Sequence, residues 1–276
     1  MKVPADRQPD LAVVTGGASG IGLALCYALG RRGAAVLVAD RDEAALSTAV
    51  GSLTTAGVTA FGQTVDLRDA NGVQGLADRA RQLGLIRYLC ANAGVSTAGT
   101  SIWETPANEV GFVLDVNLGG LLRCLRSFIP ILLDQSGTSA VVVTASMAGL
   151  VTTPSSGAYS ASKAAVIAAT KALRADLQSV RDDIHVALLC PGMVGTNLQR
   201  TSADLQRAAG GGTPVNVEEY HAALNQLGIV PSAVADWVLG ALDGGQFWVL
   251  PPKEDPFSTM LQSEVADLLA GLGRER

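Results

Sequence analysis

Residues 13–25 read Val13-Val14-Thr15-Gly16-Gly17-Ala18-Ser19-Gly20-Ile21-Gly22-Leu23-Ala24-Leu25. An apolar run enters a glycine cluster and leaves it on a helical pattern, the build of a turn that sets backbone against phosphate. The dinucleotide fingerprint G-x-G-x-x-G does not fit. Started at Gly16 it needs a glycine where Ala18 stands, and started at Gly20 it needs one at Leu25. The glycines fall instead at 16, 20 and 22, with Gly17 extra. Glycine lets the main chain approach a pyrophosphate closely, and the first amides of a following helix meet its charge. Gly16, Ser19, Gly20, Ile21 and Gly22 are therefore the candidate phosphate contacts. A tight strand-to-helix turn that holds no ligand carries the same signature.

Short apolar runs alternate with helical patterns on both sides of this turn. Strands are expected at 11–16, 34–40, 58–63, 85–94, 139–146 and 183–192, with a final short one at 245–251. Helices are expected at 20–32, 42–55, 69–83, 106–133 and 157–180. The strand runs are rich in Val, Leu and Ala without strict alternation, which is the composition of strands buried on both faces. The repeated alternation predicts an α/β fold: a doubly wound, mostly parallel, Rossmann-type sheet of about seven strands with helices on both faces. No shift in composition divides the chain, so residues 1–276 are read as one domain.

The 276 residues are 48% hydrophobic and 16% charged, enough to bury a large core. The formal net charge is −5 and no Lys/Arg run is present, which argues against nucleic acid and anionic membranes as partners. No uninterrupted apolar stretch is long enough to read as a transmembrane helix. The polar start Met1-Lys2-Val3-Pro4-Ala5-Asp6-Arg7-Gln8-Pro9-Asp10 lacks the apolar segment of a signal peptide, so a cytoplasmic protein is expected. Cys26, Cys90, Cys124 and Cys190 form no CxxC pair and read as buried thiols. With only His185 and His221, a zinc site or a Ser-His-Asp triad has little material, and no metal is expected.

Asp40 closes the second strand, 18 residues after Gly22. A carboxylate there can accept from both adenosine ribose hydroxyls and would repel a 2′-phosphate, which favours NAD over NADP. Arg41 follows directly and could reach a 2′-phosphate, so NADP stays possible. Asp40 could alternatively cap the helix at 42–55. Asp66, with Leu67 beside it, follows the third strand and is placed to meet the adenine amino group. Asn92-Ala93-Gly94 closes the fourth strand with small residues that let a nucleotide pass near the backbone.

Two segments carry candidate chemistry. Thr144-Ala145-Ser146 ends a strand, and Gly157-Ala158-Tyr159-Ser160-Ala161-Ser162-Lys163 starts a helix. Tyr159 and Lys163, four apart, share one helix face. A lysine ammonium beside a tyrosine favours the phenolate, which can then take a proton from an alcohol or return one to a carbonyl. Ser146 could hold the substrate oxygen. A lone Tyr-x-x-x-Lys is usually only a helix face; here a nucleotide turn and a strand-end serine accompany it.

With these motifs in place the chain resembles the short-chain dehydrogenase/reductase family. Thr15-Gly16 with Gly20 and Gly22 fits that family's T-G-x-x-x-G-x-G, Asn92 to Gly94 its N-A-G, and Tyr159 with Lys163 its Y-x-x-x-K. The resemblance selects Ser146 as the family serine, Asn117 in Asp115-Val116-Asn117-Leu118-Gly119-Gly120 as its asparagine, Pro191-Gly192 as its P-G motif and Thr196 as the threonine at the nicotinamide carboxamide. Val194 lies between the last two and is counted with the cofactor contacts. The resemblance covers about residues 10–200. It implies Tyr159 as general acid/base, Lys163 as the group that lowers its pKa and binds the nicotinamide ribose, Ser146 as substrate anchor, and Asn117 as holder of a water between Lys163 and solvent. Read without the resemblance, Asn117 could simply cap or kink a long helix.

The implied activity is hydride transfer between NAD(H) and a secondary alcohol or ketone. An epimerase or lyase on the same fold, or a nucleotide-sensing protein without turnover, are the alternatives. Met193, Val194, Leu150, Val151 and Trp103 would flank the pocket, and they suggest a largely apolar small-molecule substrate. The polar stretch 197–230, with Gly210, Gly211 and Gly212, is expected to be a substrate lid; a solvated insertion is the alternative. The tail at 251–276 should carry a helix at 257–271 with Leu261, Val265, Leu268 and Leu269 on one face. That face would cover a subunit interface or the active site, or pack on its own domain. Relatives associate through the helices matching 106–133 and 157–180, so a homodimer or homotetramer is expected.

Overall fold

The computed structural model describes residues 8–97, 99–208 and 217–272. The start of the polar N-terminus and the three glycines of the expected lid lie outside the described residues. In chain order the elements are β1 (Asp10–Thr15), α1 (Gly20–Arg31), β2 (Ala35–Asp40), α2 (Glu43–Thr55), β3 (Ala60–Thr64), α3 (Ala70–Leu83) and β4 (Leu85–Ala91). Then come α4 (Ala107–Leu114), α5 (Gly120–Asp134), β5 (Ser139–Thr144), α6 (Gly157–Val180) and β6 (Ile184–Leu189). The chain continues with α7 (Leu198–Ala208), α8 (Val217–Leu227), α9 (Pro231–Asp243), β7 (Trp248–Val249) and α10 (Pro256–Leu272).

The seven strands form one sheet in the order β3-β2-β1-β4-β5-β6-β7, and every pairing is parallel. The absence of apolar/polar alternation has a direct cause. Leu11 and Val13 of β1 face the core shared with α3, α5 and α6, while Ala12 and Val14 face the core shared with α1, α2 and α9. The same split divides Leu37 from Val38 in β2 and Val141 from Val142 in β5. Both side-chain directions meet apolar neighbours, so neither needs a polar residue.

The chain winds outward from β1 through β2 to β3, then returns to place β4 on the other side of β1. The connections leaving the carboxyl ends of β1 and β4 therefore run in opposite directions, which makes a topological switch point, where open α/β sheets bind ligands. The Gly16–Gly22 turn leaves β1 there, and Asn92–Gly94 leaves β4.

The helix expected at 106–133 is not one α-helix. A five-residue π-helical turn, Asp115–Gly119, separates α4 from α5 and has Asn117 at its centre. By length and apolar content the span 107–134 could cross a membrane. It lies instead along the sheet, with Phe112, Val113, Leu121, Cys124, Phe128 and Leu132 buried. The end of α5 is capped from elsewhere. Arg181 donates from Nη1 to Leu132 O, Leu133 O and Gln135 O at 2.8, 2.9 and 2.6 Å, meeting carbonyls that a helix end leaves without partners.

The polar stretch 197–230, for which no element was expected, is helical over much of its described length. It contains α7 and α8, and Ile229 forms a parallel bridge with Val194. The helical stripe of α7 is Leu198, Thr201, Ser202 and Leu205; two hydroxyl residues sit where apolar ones would have revealed it. The tail does form a helix near the expected bounds. Asp255 accepts from Phe257 N at 2.9 Å at the start of α10. Phe257 and Leu261 pack on the core, whereas Val265, Leu268 and Leu269 are exposed.

Candidate active site

The glycine turn is built around Thr15 and Asn92. Thr15 Oγ1 accepts from Asn92 N at 3.0 Å and from Ala93 N at 3.2 Å. In return Asn92 Nδ2 donates to Thr15 O at 3.1 Å and to Gly16 O at 3.3 Å, and Asn92 Oδ1 accepts from Thr144 Oγ1 at 3.1 Å. The ends of β1, β4 and β5 are thereby fastened side by side. Gly16 and Gly20 have φ of +62° and +52°, a left-handed region that L side chains avoid. A Cβ at Gly16 would lie 2.8 Å from Ala93 Cα, and one at Gly20 would lie 3.0 Å from Thr196 Cγ2. The turn is thus shaped by backbone alone. Ser19 is the N-cap of α1 and its side chain accepts no bond from the helix amides, so the first amides of α1 remain open toward the cleft.

One cleft runs across the switch point. Asp40, Arg41, Asp66 and Leu67 line one end. Gly16, Ser19, Gly20, Ile21, Asn92, Ala93 and Gly94 line its middle. Thr144, Ala145, Tyr159, Lys163, Pro191 and Thr196 line the rest, with Val95, Val116, Leu198, Thr201 and Leu205. Asp40 is held by main chain: Oδ2 accepts from Ala18 N at 3.1 Å and Oδ1 from Asp42 N at 3.2 Å. Capping of α2 falls to Asp42, which accepts from Ala45 N at 3.0 Å. Asp66 is less available than its position suggested. Arg68 grips its carboxylate with Nε and Nη2, the shortest contact being 2.7 Å, and holds its pKa below the usual carboxylate value.

Four expected contacts are placed differently. Gly22 is buried beneath the turn rather than in the cleft; a Cβ there would lie 2.1 Å from Gly16 O, so its role is to let α1 approach β1. Gly192 faces away, where a Cβ would meet Asp255 Oδ2 at 2.6 Å. Val194 is buried in the core shared with α1 and α9, turned there by its bridge to Ile229. Ser146 is buried beside the cleft rather than lining it. Its Oγ accepts from Ala148 N at 3.1 Å, which leaves the hydroxyl proton to donate.

The apolar flank also differs from expectation. Val151 is buried, Leu150 packs on the core and Trp103 is 82% exposed. Val95, Val116, Leu198 and Leu205 stand in the cleft instead. Sequence reasoning missed them because Val95 belongs to a loop and the other three to helices whose rotation local patterning does not fix.

Lys163 is the charged group at the centre. It is 4% exposed, its Nζ donates to Thr144 O at 3.1 Å, and it lies 5.8 Å from the centre of the half-buried Tyr159 ring. Burial disfavours its charged form and pushes its pKa down to about 8. At neutral pH it still carries its proton. Asn117 is 3% exposed; its Oδ1 accepts from Val95 N at 2.8 Å and its Nδ2 donates to Val95 O and Ser162 Oγ, both at 2.9 Å. A Cβ on Gly94 would lie 3.1 Å from both Asn117 Oδ1 and Lys163 Nζ, so glycine keeps the space between them open.

Residues 10–206 match the model of the family described as short chain dehydrogenase. The chain is 36% identical over 271 residues to a 1-deoxy-11-beta-hydroxypentalenate dehydrogenase of Streptomyces avermitilis, covering 98% of this chain and 93% of that protein. A protein of the same name from Streptomyces exfoliatus is 41% identical over 214 residues, 77% of each chain. Among solved structures, a short chain dehydrogenase/reductase from Burkholderia phymatum in complex with NAD superposes with a TM-score of 0.88 at 30% identity, covering 96% of this chain and 95% of that one. The backbone-shaped turn at the switch point and the Tyr159–Lys163 face of α6 thus recur in a chain that is related along nearly its whole length to dehydrogenases. It belongs to the short-chain dehydrogenase/reductase family and is an oxidoreductase.

Proposed function

We propose that the chain interconverts a secondary alcohol and a ketone with NAD(H). The observation that carries this is the placement of Tyr159 over the buried Lys163 ammonium, in the same cleft as the glycine turn and Asp40. The cleft residues fit a dinucleotide. Gly16 and Gly20 would pass the pyrophosphate over the open amides of α1, and Asp40 would accept from the adenosine ribose hydroxyls. Arg41, also in the cleft, leaves NADP as the second candidate. When bound, the nicotinamide gives or takes the hydride.

The chain's own residues handle the proton and the orientation. Lys163 holds a positive charge near Tyr159, which favours the phenolate form needed to accept a proton from an alcohol. Ser146, whose Oγ accepts from Ala148 N, keeps its own proton to offer the substrate oxygen. The open space at Gly94 borders both Asn117 Oδ1 and Lys163 Nζ, which supports a water path from Lys163 at that point. Val95, Val116, Leu198 and Leu205 support a largely apolar substrate. We read α7 as the substrate lid, since Leu198, Thr201 and Leu205 lie on the face it turns to the cleft.

Assembly into two or four copies belongs to the same reading and is supported by exposed apolar Leu122 and Leu133 on α5 and Val180 at the end of α6. A cytoplasmic setting is supported by four cysteines that are all free and buried. The test is a panel of apolar secondary alcohols and ketones with NAD and NADP, followed by reduced-cofactor absorbance and product analysis. Net cofactor turnover, faster with NAD, supports the proposal. Product without net turnover would make the protein an epimerase or lyase, and binding without either would make it a sensor.

A further inference from the structure

Ser162 lies between the catalytic pair, and the reaction itself does not call on it. It is fully buried, at 0% exposure, in the first turns of α6. Its Oγ donates to Tyr159 O at 2.7 Å and accepts from Asn117 Nδ2 at 2.9 Å. The direction of each bond is fixed by chemistry. Val95 presents an N–H and a C=O to the same carboxamide, so Asn117 must turn Oδ1 to the first and Nδ2 to the second. The Nδ2 group has only protons to offer, so Ser162 must accept there. Its one proton is then left for the Tyr159 carbonyl.

The result is a chain of direct contacts from the loop after β4, through the π-helical turn, to the turn of α6 that bears Tyr159 and Lys163. A carbonyl in the first turn of a helix normally needs no second donor, since the helix amide four residues on supplies one. The extra bond from Ser162 therefore adds little to the helix as such. What it does is tie the backbone of Tyr159 to Asn117, and through Asn117 to Val95, which lines the cleft beside Gly94.

We infer that Ser162 is a positioning residue for Tyr159 and Lys163, fixing the catalytic turn of α6 against the Asn117–Val95 clamp. The inference rests on the acid/base reading of Tyr159. In this arrangement the π-helical turn is the means of bringing Asn117 Nδ2 within reach of α6.

The test compares Ser162→Ala and Ser162→Cys with the wild-type full-length chain. Removing the hydroxyl leaves Asn117 Nδ2 bonded to Val95 O and the Tyr159 carbonyl in its helix. Loss of one positioning bond is expected to lower kcat about tenfold, while the Kd for NADH, read by fluorescence titration of the protein, stays within about twofold. The cysteine, a weak donor and acceptor, should recover part of kcat. Wild-type kcat in Ser162→Ala overturns the inference. So does a parallel loss of kcat, NADH affinity and melting temperature, which is what a merely structural role gives. If the alanine variant fails to fold, the cysteine variant decides on the same two readouts. Tyr159→Phe is assayed alongside: full activity there would remove the acid/base reading itself, whatever Ser162 does.

Discussion

Lys163 and Tyr159 meet at 5.8 Å, ammonium nitrogen to ring centre, with the lysine buried and the tyrosine open to the cleft. Removing the proton carrier alone separates chemistry from binding. Tyr159→Phe keeps the ring and its packing, so NADH titration should be nearly unchanged. Turnover should fall by a factor of about a hundred to ten thousand, the usual contribution of a general acid/base. A variant that still turns over at the wild-type rate would remove Tyr159 from the reaction.

Burying Lys163 has a measurable cost in stability. Burial pushes its pKa down to about 8, against about 10.4 for an unperturbed lysine. Below pH 8 the folded and unfolded chains both hold the proton, and stability is independent of this group. Between about pH 8 and pH 10 only the unfolded chain holds it, so stability rises with pH. Urea unfolding of wild type and Lys163→Met at about pH 7 and about pH 10 should show the wild type gaining about 2–3 kcal/mol on the variant. A gap that stays constant would mean that the lysine is not charged and buried at neutral pH.

Asp40 is already fastened by two backbone amides, so its carboxylate is preset rather than recruited by a ligand. Asp40→Ala should lower kcat/KM with NAD and narrow its ratio to that with NADP, leaving Arg41 unopposed beside the Arg68-paired Asp66 at that end of the cleft. Steady-state kinetics with both cofactors reads the ratio directly, and an unaltered ratio would show that Asp40 does not discriminate between them.

Away from the cleft, Arg181 joins the ends of α5 and α6 through carbonyls of residues 132, 133, 135 and 137 and pairs with Asp183 at 2.6 Å. Arg181→Ala leaves several of these carbonyls without a donor and should destabilise the chain by about 2 kcal/mol. Denaturant midpoints measure the loss, while the kinetic constants of the folded variant should not change.

The doubly wound parallel sheet was legible in the sequence because its central strands are buried on two faces, and composition records that; the order of the strands was not. Gly16, Gly20, Asp40, Tyr159 and Lys163 were legible because a backbone conformation or a charge at that point tolerates few residue types. The π-helical turn was not: Asp115 to Gly119 contains nothing that a continuous helix forbids, and the partners of Asn117 in that turn, Val95 and Ser162, lie far off in the chain. Val194 was misplaced for the same kind of reason. Its orientation is set by a bridge to Ile229, 35 residues later. The helix α7 escaped notice because its inner face uses Thr201 and Ser202, and Ser202 is spent on a single buried bond from Ser96 N at 2.9 Å.

The sheet also ends in a way that limits what it can recruit. β7 contributes two residues, in register with Leu188 and Leu189, and Pro251 and Pro252 follow after Leu250. Exposed strand edges are templates for the pairing of one chain with another, and short edges closed by proline remove the donors such growth requires. On this side the chain can meet other copies through side chains, but it offers them little main chain to extend.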